Sequence, residues 1–137
     1  MNRIHAITSR FLAVAALVLL LAGGGCNESY SAGKDLQVTN EVNVFQFQVS
    51  DMKNYGQTLS FTWTNYSRTN AVVNQFSTIS GGDATLVLKD ASGNTVYSRS
   101  LKQNGQFTTL AGTAGPWTVQ ILMNKVSGSV LLRAEPN

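Results

Sequence analysis

The 137-residue sequence predicts an all-β domain of about eight strands, arranged as an antiparallel two-sheet sandwich, following an N-terminal signal segment. Three observations predict it. Beyond residue 35, apolar residues alternate with polar ones at a period of two; no stretch there carries a helical stripe at 3.6; and clusters of Gly, Asn, Asp and Ser break the alternation at short intervals. Short strands with frequent tight turns favour a sandwich or a barrel over a parallel sheet, which needs long crossovers. About 100 residues can bury an adequate core without disulfides.

The chain divides into residues 1–25, a signal segment; residues 26–35, a modified cysteine and tether; and residues 36–137, the β domain. Arg3, His5 and Arg10 make a basic start, Phe11 to Ala22 is an unbroken apolar run, and Gly23 to Gly25 lead to Cys26. Twelve apolar residues at about 1.5 Å each reach roughly 18 Å, short of a ~30 Å hydrocarbon core, so this is a signal peptide before it is a membrane helix. From Cys26 onward eight basic and seven acidic residues remain, a net charge of +1. No Lys or Arg run tracks a phosphate backbone, which argues against nucleic acid as a partner.

Cys26 is the only cysteine, directly after the apolar run and three small residues. This resembles the lipobox of bacterial lipoproteins, which implies a diacylglycerated thiol and a mature chain beginning at Cys26. A lone thiol in an oxidising compartment is otherwise a reactive liability. Acyl chains at about 0.8 kcal/mol per buried methylene would hold the domain on a membrane. The segment departs from the lipobox pattern at Gly23, where an apolar residue such as leucine usually stands. The other reading is an ordinary signal peptide cut near the same glycines, leaving Cys26 as a free thiol. Asn27 after the cysteine, rather than Asp, implies an outer-membrane or surface location over the inner membrane. The following NESYSAGKD is small and polar and reads as a tether.

The strands follow in order. Leu36–Asn40 is the first, and Val42–Ser50 the second, with Phe45, Phe47 and Val49 on one face. Asp51–Gln57 reads as a turn around Gly56. Leu59–Tyr66 has the cleanest alternation: Leu59, Phe61, Trp63 and Asn65 share one face, which places Trp63 in the core, and Tyr66 points the other way. Ala71–Phe76 is a short strand, and Ser80 to Asp83 reads as a turn. Ala84–Lys89 and Thr95–Leu101 flank Asp90 to Asn94, where Gly93 and Asn94 accept positive φ, a hairpin signal. Gln106–Leu110 follows. Trp117, Val119 and Ile121, then Val130, Leu132 and Ala134, flank Met123–Gly128 and predict a closing hairpin of two half-buried strands. Pro116, without an amide donor, suits a strand's first residue.

The stretches NVFQFQV, ATLVLKDASGNTVYS, AGPWTVQI and SGSVLLRA together resemble the bacterial pre-peptidase C-terminal type of domain and its jelly-roll relatives. The resemblance covers most of the mature chain and implies an antiparallel jelly-roll with an accessory role beside secreted hydrolases. The aromatic of the closing motif is Trp117 rather than the more usual Tyr, and a role beside an attached catalytic domain is not expected.

Catalytic chemistry is poorly supplied. His5, the only histidine, belongs to the signal segment, so Ser-His-Asp and Cys-His catalysis and an ordinary zinc site are not expected. The acids are scattered; Asp83 and Asp90 bracket a strand, and read as turn-fixing residues rather than calcium ligands. The expectation is a non-enzyme with no metal and no cofactor, displayed at the bacterial envelope to meet a protein partner or copies of itself. A second expectation is a secreted or surface carbohydrate-binding module, with Tyr66, facing away from Trp63, and Tyr55 and Tyr97, on or near turns, as the rings that could stack on a sugar.

Overall fold

The computed structural model describes residues 31–66 and 69–137, and all the regular structure there is β. The strands are β1 (Lys34–Glu41), β2 (Val44–Tyr55), β3 (Thr58–Asn65), β4 (Ala71–Gln75), β5 (Thr78–Lys89), β6 (Thr95–Ser100), β7 (Gly105–Thr108) and β8 (Gly115–Pro136). Every pairing among them is antiparallel.

The organising element is β8, a single strand of 22 residues. Along one side it pairs first with β3, from Asn65↔Gly115 to Thr58↔Leu122, then with β2, from Tyr55↔Val126 to Phe45↔Ala134. Along the other it pairs with β5, from Lys89↔Thr118 to Thr78↔Ser129, then with β4, as far as Ala71↔Pro136. Outside these, β1 borders β2, β6 borders β5 and β7 borders β4. All eight strands thus belong to one hydrogen-bonded sheet.

That sheet bends back on itself. Phe45 pairs across from Ala134 and Phe61 from Val119, near opposite ends of β8, yet their ring centroids are 5.3 Å apart. The Asn43 amide donates to the Thr64 carbonyl at 2.9 Å on one flank, and the Leu110 amide to the Val96 carbonyl at 2.9 Å on the other. Side chains from both halves form one cluster, including Trp63, Trp117, Leu86, Leu88, Ile121 and Leu132, all fully buried. Trp63 sits directly opposite Trp117, and their rings meet edge to face at 5.8 Å and 83°.

Three segments expected as turns are bends in continuous strands. Met123–Gly128 lies inside β8, with positive φ at Lys125 (51°) and Gly128 (122°), so the closing hairpin is one bent strand. Ser80–Asp83 lies inside β5, with Gly82 at φ 70°, and most of Asp51–Gln57 lies inside β2, with Asp51 at 53° and Asn54 at 47°. The bends sit side by side, since Met52 and Ile79 both pair with Gly128. The physical reason is that a residue with positive φ makes a β-bulge as readily as a tight turn. Here three bulged strands crease the sheet along one line.

Candidate functional site

The tyrosines do not form a platform. Tyr55 closes β2 with 4 % of its surface exposed, and its hydroxyl donates to Gln57 Oε1 at 2.9 Å. Tyr97 on β6 is 7 % exposed; its hydroxyl donates to Gln75 Oε1 at 2.7 Å, and burial pushes it up to about 12. Tyr66 alone stands in solvent, 66 % exposed. The bulges explain the difference: the ladder shifts between Met52 and Tyr55 and between Leu88 and Lys89, and each shift changes which face the neighbouring side chains occupy. Cys26 and the signal segment lie outside the described residues.

The acids are structural where they are buried. Asp90 opens the β5–β6 turn, and its carboxylate accepts from the amides of Ser92 (3.0 Å), Asn94 (2.8 Å) and Thr113 (2.9 Å). The Thr113 bond above all, with those of Asn94 and Ser92, holds this carboxyl below the usual aspartate range against the opposing effect of burial. Asp83 forms an exposed ion pair with Lys102 at 2.8 Å. Among the described residues no three of His, Cys, Asp and Glu come together.

Two surfaces are open. Between β6 and β7 lies a groove of about 360 Å³ lined by Thr95 to Arg99, Thr108 and Leu110. Arg99 lies over the Phe107 ring at 3.9 Å and donates to Gln103 Oε1 at 2.8 Å, a cation–π arrangement that orders the guanidinium. Sequence reasoning missed this pair, because Arg99 and Phe107 meet only when β6 and β7 come together across the fold.

The second surface is β1. All eight of its residues are exposed, Leu36 and Val38 among them at 53 % and 39 %. It pairs with β2 alone, and its other edge carries no strand among the described residues. The two-residue turn Val42-Asn43, with Asn43 at φ 62°, joins Glu41 to Val44 and makes them a hydrogen-bonded pair. By alternation, the backbone groups of Val38 and Asn40 point away from β2, and Leu36, in the bulge, has no partner there. Such an edge can receive another strand. At its Asn40 end the edge lies against β3: Asn40 Nδ2 donates to the Thr62 carbonyl at 2.8 Å, and the Asn43 amide of the turn to the Thr64 carbonyl at 2.9 Å.

No family model matches the chain, and no curated protein does. Among solved structures, it is similar to the capsular polysaccharide assembling protein CapF from Staphylococcus aureus, at a TM-score of 0.30 and 8% identity, over 75% of this chain and 29% of that one. It is also similar to the infectious bursal disease virus Gt strain structure, at 0.29 and 13%, over 85% of this chain and 36% of that one. The chain spans little more than a third of either at most.

Proposed function

We propose that the protein is a non-catalytic envelope lipoprotein, held on a bacterial membrane through Cys26, whose β domain presents a surface to a protein partner. The observation that carries the reading is the exposed edge of β1 around Leu36 to Val38: outward backbone groups at Val38 and none of Leu36's paired to β2, beside two exposed apolar side chains. Strand addition to such an edge draws affinity from main-chain hydrogen bonds and selectivity from alternate side chains. The short polar stretch between Cys26 and β1 would keep this edge within a few nanometres of the lipid. The carbohydrate reading loses two of its three rings to the core and keeps only Tyr66.

Radiolabelled palmitate tests the anchor. Label should enter the full-length chain, disappear in Cys26→Ser, and its processing should be blocked by globomycin. Equal soluble secretion of both chains without label would overturn the anchored reading.

A further inference from the structure

We infer that the occupant of the β1 edge is the β1 strand of a second copy, paired antiparallel about a two-fold axis at Gln37. This rests on the display reading and names the partner of that same edge.

The register follows from the strand itself. Asp35 has positive φ (53°) and the ladder shifts between Lys34 and Gln37, so Asp35 and Leu36 form the bulge and the regular ladder with β2 runs from Gln37 to Glu41. A two-fold axis perpendicular to a continuous antiparallel sheet places facing residues on the same face, so the axis must pass through a residue. Centred on Gln37, the pairing sets Leu36 opposite Val38 twice and Asp35 opposite Thr39, with no like charges facing. Centred on Val38, it sets Asp35 opposite Glu41 and Leu36 opposite Asn40, joining like charges and wasting the apolar side chain. Centred on Thr39, Val38 faces Asn40 and Gln37 faces Glu41. Centring on Val38 makes one apolar pair, Val38 with its own copy, whereas only the first register makes two and faces no like charges.

The outward backbone groups agree with it. Val38 presents N–H and C=O to the free edge and Leu36 has no partner on β2, so each Leu36–Val38 pair would exchange two hydrogen bonds. Gln37, turned towards β2, then faces its own copy in a non-hydrogen-bonded pair, with Cα atoms about 4.5 Å apart. That falls inside the roughly 4.4–6.8 Å window of a disulfide. Both Gln37 and its β2 partner Gln48 lie on the face opposite to Phe47, outside the core. Tethering both copies to one membrane would raise their effective concentration for this pairing.

Cross-linking the full-length chain in isolated cell envelopes tests it. Gln37→Cys under mild oxidation should give a reductant-sensitive species of twice the monomer mass as the main product. Wild type and Val42→Cys should stay monomeric, since Val42 would lie roughly 30 Å from its copy in this register. Adding Leu36→Lys to Gln37→Cys, which sets a charge opposite Val38, should abolish the dimer while the monomer accumulates normally. No Gln37→Cys dimer, an equal Val42→Cys dimer, or a dimer that survives Leu36→Lys would overturn the pairing. The fraction holding the chain reads the anchor separately. A membrane-bound Gln37→Cys monomer overturns the copy-to-copy contact and leaves display intact, whereas a soluble, unlipidated chain that still cross-links when Cys26→Ser leaves Gln37→Cys as its single thiol overturns the anchor and keeps the contact.

Discussion

Gln75, on β4, has no solvent exposure and no unmet hydrogen bond. Its Nε2 donates to the carbonyls of Ser100 (3.0 Å) and Gln103 (2.6 Å), and its Oε1 accepts from the Tyr97 hydroxyl. One amide thus ties β4 to β6 and to the turn after it. Tyr97→Phe should cost about 1–3 kcal/mol in urea unfolding at neutral pH, because it leaves Oε1 buried without its donor. The same hydroxyl has a pH signature. Its folded value, about 12, lies above the usual ~10 of tyrosine, so its contribution is whole below pH ~10 and is lost as pH rises through about 12. An alkaline stability profile should therefore fall less steeply in Tyr97→Phe than in wild type. Trp117 is a second anchor: fully buried, packed edge to face on Trp63, its indole N–H on the Thr113 carbonyl at 2.8 Å. Trp117→Ala should cost about 3–5 kcal/mol, and an unchanged melting temperature would contradict its place in the core. Both tryptophans were legible from the alternation around them, because β3 and the first half of β8 run in an unbroken register. Tyr55 and Tyr97 were not, because a bulge beside each changes the face that counting by two assigns.

The same distinction governs the elements. Leu59–Tyr66 and Ala71–Phe76 are within a residue or so of β3 and β4, since their patterns are local and uninterrupted. β8 was legible as two strands and is one, because Lys125 and Gly128 carry turn chemistry and only their partners decide what it does. With β2 and β5 flanking it without a break, the chain at Met123–Gly128 creases instead of reversing. Gly128 is tightly enclosed: a Cβ there would stand 2.1 Å from the Thr78 carbonyl oxygen, on a backbone at φ 122°. Gly82 is built alike, with the Lys125 carbonyl oxygen 2.1 Å from a Cβ. Gly128→Ala should destabilise by about 2–3 kcal/mol in chemical unfolding. Gly93→Ala, whose Cβ would meet nothing within 4 Å, should lose less, because only its positive φ of 84° is strained. Equal effects at the two sites would show that the crease is not packed as described.

At the scale of the molecule, the all-β class was legible because composition, period and turn spacing all point one way. The joining of every strand through β8 was not, because sheet order is a matter of long-range pairing that no local pattern encodes. Function divides in the same way. The proposed anchor at Cys26 rests on the residues beside it, whereas the β1 edge becomes visible only once β2 has taken one side of that strand and no strand among the described residues pairs with the other. Whether this domain is displayed from a membrane is read by the intact mass of the full-length product after fractionation of an expressing bacterium. A membrane-bound chain beginning at Cys26 and heavier by its acyl groups is the expected result. A soluble, unmodified chain with a free Cys26 thiol would contradict it.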